Sequence, residues 1–286
     1  MMKNKRSDIS SISRTLKVSA VIAVVLSLVI GAAFYFALRV GFNSAIGHFD
    51  ATPWFYTFSA GIAVAAVLAL ICAVKCRRYG FSVDDRPSIG EAAVRLACAA
   101  LALFVFALFI KSVLGLHEYH TTIEKIAGIL TAFIALAFVC SAFTGKGGKP
   151  VAAVMFILAA LAVNFNIFAD YFDFSVPVNS PIRNVTTILQ CAALLFMITE
   201  ARLYLPKESG RSTAVFASFV YLFAFAACFG LPIASLAFRA TAADSTVPLP
   251  ETGWLLLFLG ISVIALFRFA SISSNLCDLP EKEDKK

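Results

Sequence analysis

Eight uninterrupted apolar runs, each about the length that crosses a bilayer as a helix, occupy most of this chain and leave only short polar gaps between them. A hydrocarbon core about 30 Å thick needs roughly 20 apolar residues in helical form. The runs fall at 16–38, 53–74, 92–115, 122–143, 150–169, 184–204, 212–236 and 253–271. They are continuous, whereas strands of a membrane barrel would alternate apolar and polar positions over about 10 residues. Lipid offers a backbone N–H no partner, so each run must satisfy its own peptide groups as a helix. Composition agrees: 60% of residues are hydrophobic and 14% charged, where a soluble domain is nearer half and a quarter. The expectation is an all-α polytopic transmembrane bundle of about eight spans over 16–271. Residues 1–15 form a mobile polar N-terminal tail and 272–286 a C-terminal one. The lipid bilayer is the principal partner, with another membrane protein a further one.

Basic residues set the orientation. With the N-terminus inside, every one of the 24 lysines and arginines falls on the inner side except Arg39, Lys111, Lys125, Arg183 and Arg239. This is the positive-inside bias, counted over short loops. Both termini are therefore expected in the cytoplasm, and the location is the plasma membrane. Attraction to anionic headgroups accounts for the basic stripe without nucleic acid. The first apolar run exceeds the roughly 7–15 residues of a signal peptide and reads as an uncleaved helix. The seven cysteines lie within spans or toward the inner side, where thiols stay reduced. Cys72 and Cys76, one turn apart, read as small apolar filler. Ser27 and Gly31, and Gly61, Ala65 and Ala69, have the four-residue spacing that lets helices approach closely. Pro232 should kink the seventh span.

Polar groups at membrane depth usually face protein or water. The richest set surrounds the outer ends of spans five and six. At 1.5 Å per residue, Gln190 lies roughly 10 Å below Arg183, and Asn164 roughly 9 Å below Asp170. Asn164, Asn166 and Gln190 are thus candidates to line an outward-facing pocket, with Asp170, Asp173 and Arg183 at its mouth. The competing reading is hydrogen-bond glue between helices. Glu91 and Arg95 are four apart at the start of span three and read as a structural ion pair. Glu200 and Arg202 point to different faces, so Arg202 snorkels to headgroups while Glu200 needs a partner on another helix.

His117 and His120, with Glu118 between them, are weak candidates for zinc. No third and fourth ligand accompanies them, so no metal site is assigned. Nothing in the sequence calls for a cofactor. Leu249, Pro250, Glu251, Thr252 and Gly253 resemble the sortase cell-wall sorting signal, followed as it should be by an apolar segment and a positive charge. On that resemblance Thr252 would be joined to the cell wall after cleavage before Gly253. Against it, seven other spans already hold the chain, and Pro and Glu suit a first helical turn.

The stretch from Asp170 through Tyr171, Phe172, Asp173, Phe174, Ser175 and Val176 to Pro177, Val178, Asn179, Ser180 and Pro181, followed by Thr199-Glu200-Ala201-Arg202, resembles a pattern in uncharacterised multi-pass proteins of Gram-positive bacteria. The resemblance covers spans five and six. It implies a bacterial plasma membrane and carries no activity. Chemistry is also missing: no His-Glu-x-x-His is present, and Asp170 and Asp173 fall in a loop rather than on facing helices. The sequence therefore favours a membrane-embedded sensor, regulator or assembly partner over an enzyme. The alternative is a small-molecule transporter or channel with an outward-facing polar pocket. A sortase-processed, wall-anchored protein is the third reading.

Overall fold

The computed structural model describes residues 2–43, 47–50, 52–77, 79–81, 89–115, 122–143, 149–172, 180–205, 210–242, 247–274 and 276–278. Over these residues the chain forms eight helices: α1 (Met2–Val40), α2 (Pro53–Cys76), α3 (Ile89–Leu114), α4 (Thr122–Phe143), α5 (Lys149–Phe172), α6 (Pro181–Tyr204), α7 (Gly210–Thr241) and α8 (Thr252–Ser274). Each contains a segment long and apolar enough to cross a membrane. The protein is an integral, multi-pass membrane protein built as an all-α bundle. Four strands of two or three residues decorate it: β1 (Phe42–Asn43), β2 (His48–Phe49), β3 (Tyr79–Phe81) and β4 (Leu276–Asp278).

Successive helices run in alternating directions. Ser13 of α1 donates to the Ser273 carbonyl of α8 at 2.7 Å, so the two chain ends lie at one end of the bundle, the terminal end. At the other, β1 and β2 pair antiparallel as a small hairpin, turned by Gly47 at φ 69°. Phe49 of this hairpin end packs on Phe34 and Phe55 with ring centroids 6.1 and 5.5 Å apart, and Phe34 meets Phe58 at 5.3 Å. Aromatic rings favour the boundary between hydrocarbon and water. The turn thereby folds the loop between α1 and α2 back onto both helices.

Helix starts follow local chemistry. Thr52 and Ser180 take extended backbone and accept from the N–H groups of Phe55 and Arg183, while Pro53 and Pro181 occupy the first helical position. The proline loses nothing there, because that N–H has no partner within the helix.

Helix α7 is the centre. It packs against α1, α2, α6 and α8, and 72% of its most apolar window is buried, against 28% for α3. Close approach of α1 to α7 depends on two glycines. A Cβ at Gly31 would stand 2.7 Å from the Gly230 carbonyl oxygen, and one at Gly230 would collide with the Ser27 carbonyl. Ser27 and Gly31 therefore do provide a close crossing, as their spacing suggests. Gly61 similarly admits the Ile30 side chain, with Ala65 and Ala69 buried below it. Lipid tails are as apolar as the helices, so such close backbone packing supplies association that hydrophobicity alone does not.

Three differences from the sequence expectation concern element ends. Helix α1 starts at Met2, so most of the expected 1–15 tail is helical. The C-terminal segment contributes β4, which pairs antiparallel with β3 through Tyr79–Asp278 and Phe81–Leu276. Helix α7 continues five residues past 236 to Thr241. Pro232 deletes one backbone bond of that helix, but the packing of four neighbours holds the segment helical.

Gly230→Ala should disrupt the α1–α7 crossing and cost about 1–3 kcal/mol, the range for overpacking. The midpoint of thermal unfolding in detergent should fall, while Val21→Ala, at a position facing outward, should leave it within error.

Candidate functional site

Helix α6 is the least apolar of the eight, with a window hydropathy of 1.5 against 2.2 or more elsewhere. Its buried polar residues include Gln190 and Glu200, a long amide and a carboxylate, beside Thr199. Ten residues separate the amide from the carboxylate, a rise of about 15 Å along the helix. Each organises a polar layer, and α8 contributes to both.

The layer near the terminal end is an ion pair. Arg268 of α8 donates through Nε to Glu200 Oε1 at 3.0 Å and through Nη2 to Oε2 at 2.9 Å. This fork-on-fork geometry is the strongest arrangement available to the two groups. Glu200 is 1% exposed and Arg268 12%. Tyr221 of α7, fully buried, donates to Glu200 Oε1 at 2.6 Å. Arg268 Nη2 also donates to the Tyr204 hydroxyl at 3.2 Å. That hydroxyl lies 2.8 Å from Ser141 Oγ of α4, which accepts from Cys98 Sγ of α3 at 3.4 Å. Five helices are thereby tied by one chain of polar contacts. Rings position it: Tyr204 stacks on Phe156 at 5.8 Å and 10°, and Tyr221 meets Phe196 edge-on at 5.8 Å.

The layer near the hairpin end is a cavity of about 200 Å³ between α5, α6 and the start of α8. Asn166 and Asp170 line it from α5. Ile182, Arg183, Thr186 and Gln190 line it from α6, and Pro250, Glu251, Trp254 and Phe258 from the α8 side. The α6 positions follow the helical period, which places them on one face. Gln190 Nε2 donates to Asp170 Oδ2 at 2.6 Å, and Arg183 Nη2 to the Asp170 carbonyl at 3.1 Å. Asn166 turns its amide back to the Ala162 carbonyl at 2.9 Å. Within these lining residues two buried atoms, Gln190 Oε1 and Thr186 Oγ1, have no partner among the described residues.

Of the six residues proposed from sequence for a pocket, Asn166, Asp170, Arg183 and Gln190 converge on this cavity. Asn164 does not line it. Two residues along a helix is about 200° of rotation, so Asn164 and Asn166 cannot share a face. Asp170, expected at the mouth, instead reaches the Gln190 amide. Asp173 lies outside the described residues, as do His117 and His120. The Glu91 side chain is likewise outside them, so its pairing with Arg95 is not described. Arg202 is exposed, with its guanidinium carbon 5.7 Å from the Phe216 ring centroid.

The segment from Leu249 to Gly253 is held from two sides. Arg239 Nη2 donates to the carbonyls of Leu249 and Pro250 at 2.8 and 2.7 Å, and Nη1 to Thr252 Oγ1 at 3.0 Å. Glu251 pairs with Lys111 of α3 at 3.1 Å, both well exposed. Thr252 and Gly253 open α8, so their peptide is already part of a helix.

Sequence reasoning missed Thr186, Trp254 and Phe258 on the cavity wall, and Arg268 as the partner of Glu200. Thr186 was accessible, since it lies one turn before Gln190. The α8 residues carried no such signal, because nothing in their spacing names the helix they face. No family model matches the chain, and no curated protein or solved structure is significantly similar to it.

Removing one partner of a buried pair strands the other charge, at a cost of about 3–5 kcal/mol. Glu200→Gln and Arg268→Gln should each lower the unfolding midpoint strongly. The double variant should lose clearly less than the sum of the two, which a double-mutant cycle in detergent would read directly.

Proposed function

We propose that the protein is a sensor or regulator of a bacterial plasma membrane that takes a small polar molecule into the α5–α6–α8 cavity from the outer side. The observation that carries this reading is the cavity wall itself. Gln190 is 5% exposed, and its Oε1 has no partner. A buried polar atom left unpaired is costly, and such groups concentrate where a ligand or ordered water completes them. Aromatic and aliphatic surfaces with a few convergent polar groups are the usual make-up of a small-molecule site.

The basic-residue bias supports placing the terminal end in the cytoplasm, so that the hairpin end and the cavity face outward. The resemblance across spans five and six supports a bacterial plasma membrane. A sensor needs a path from ligand to inner face, and α6 and α8 supply one. The same two helices line the cavity and, ten residues further on, hold Glu200 and Arg268. A ligand that draws their outer ends together changes the geometry at the pair.

A transporter is the second reading, favoured by that same ion pair. A cavity at one end and a buried salt bridge toward the other is the arrangement of a closed inner gate. The sorting-signal reading is the weakest, because the clamp by Arg239 and the helical Thr252–Gly253 peptide oppose the extended conformation that a protease requires.

Polar small molecules that occupy the cavity should raise the melting temperature of the purified protein, by about 2.7 kcal/mol of stabilisation at a hundredfold excess over Kd. Asn166→Leu with Gln190→Leu should abolish that shift. Flux of the stabilising compound into proteoliposomes would establish transport, whereas stabilisation without flux establishes a sensor. Reporter fusions placing either terminus outside would overturn the orientation.

A further inference from the structure

The cavity and the ion pair lie on one line through the bundle. We propose, resting on the transporter reading of the cavity, that a solute path runs from it to the Glu200–Arg268 pair inside a ring of five helices. Ala193, Met197, Ile261 and Ala265 constrict the path, and the ion pair gates it at the terminal end. The solute is small, polar and without net charge.

The ring follows from which helices touch. Helix α3 packs on α4, α4 on α5 and α5 on α6, and α8 closes the circle by packing on α3 and touching α6. Helix α7 lies against α6 and α8, with α1 and α2 behind it. All five ring helices send a side chain into the layer near the terminal end. Cys98 comes from α3, Ser141 from α4, Glu200 and Tyr204 from α6, and Arg268 from α8, joined by hydrogen bonds. Phe156 of α5 stacks on Tyr204. A cluster that every member of a ring reaches sits on the ring's axis. The cavity is lined from α5, α6 and α8, three of the same helices, toward the hairpin end.

The residues between the two layers form matching stripes. On α6, Gln190, Ala193, Met197 and Glu200 recur at intervals of three, four and three, and on α8 Phe258, Ile261, Ala265 and Arg268 do the same. That spacing keeps each set on one face. Each begins at a residue lining the cavity and ends at one partner of the ion pair. The four residues between are apolar and buried. Alanine takes little space and methionine is unbranched and adaptable, so this interval can open by repacking of side chains. Apolar constrictions close water-filled paths by dewetting. A pair that only tied α6 to α8 could give way to apolar side chains at little cost, whereas ionisable groups kept at membrane depth mark solute and ion paths. Pores that select ions carry rings of one sign. Here Glu200 and Arg268 cancel, and the cavity lining holds both signs in Asp170, Arg183 and Glu251. The volume of about 200 Å³ is below the roughly 300–1,000 Å³ of drug-sized sites, which limits the solute to the size of glycerol or alanine.

The test reconstitutes the full-length protein in liposomes and follows entry of radiolabelled glycerol and alanine above that into protein-free liposomes, with sodium and chloride as charged probes. Glu200→Gln with Arg268→Gln removes the gate without leaving a lone charge, and it should raise entry of glycerol or alanine about tenfold by favouring the open state. Adding Ala193→Leu, which fills the constriction, should bring entry back to the wild-type rate or below. Sodium and chloride should stay excluded throughout. Arg268→Lys keeps the charge and loses the fork, and should raise entry about threefold. That variant decides the matter where the double variant does not reconstitute. Wild-type entry that neither gate variant changes overturns the gate and leaves the transporter. A rise that Ala193→Leu does not reverse overturns the route between the two stripes. Entry of sodium or chloride equal to that of alanine overturns the neutral-solute assignment. No entry of any probe, in wild type or variants, overturns the transporter reading together with the gate and leaves the cavity to a sensor.

Discussion

A carboxylate and a guanidinium held together in hydrocarbon constrain this bundle more than any other contact. Neither Glu200 nor Arg268 is stable there alone, and neither can be satisfied within its own helix. Helices α6 and α8 are therefore bound to one register. Tyr221 extends the constraint to α7, and Tyr204 with Ser141 and Cys98 extends it to α4 and α3. Dispersion between apolar helices fixes separation loosely, because a Leu gains nearly as much from a lipid tail as from another Leu. Directional bonds to buried charges fix it tightly.

Away from that layer the bundle is organised by size rather than polarity. Gly31 and Gly230 let α1 and α7 cross nearly backbone to backbone, and α7 becomes the post around which α1, α2, α6 and α8 stand. Most of it is buried among its neighbours, and the same packing tolerates Pro232 within a continuous helix. The cavity lies where this packing is interrupted. Between α5, α6 and α8 the wall mixes polar residues with Ile182, Trp254 and Phe258, and Arg239 and Lys111 hold the entry to α8 in place. The cavity layer and the ionic layer thus belong to the same two helices, about three turns apart.

How much could be read in advance follows the range of the signal. The eight spans were legible because each is set by a local run of apolar residues whose length the bilayer dictates. The α6 side of the cavity was legible for the same reason: Arg183, Gln190 and, with more attention to the period, Thr186 recur at helical spacing. Asn164 went astray because matching depth was considered without rotation. The helical start of α1 and the β3–β4 pairing were not anticipated, since polar, charged segments carry little sign of the order that tertiary neighbours impose on them. Glu200 plainly needed a partner, but Arg268 read equally well as an ordinary basic residue at the edge of the last span.

The sequence by itself determined the solvent, the number of crossings and the alternation of charge, because each depends on residues adjacent in the chain. It also determined that α6 would be the polar helix. Tertiary structure alone decided that α8 lies beside α6, so that Arg268 reaches Glu200 and Trp254 lines the same cavity as Gln190. These pairs are separated by 68 and 64 positions, and no local pattern encodes a contact between helices whose lipid-facing and protein-facing surfaces are both apolar.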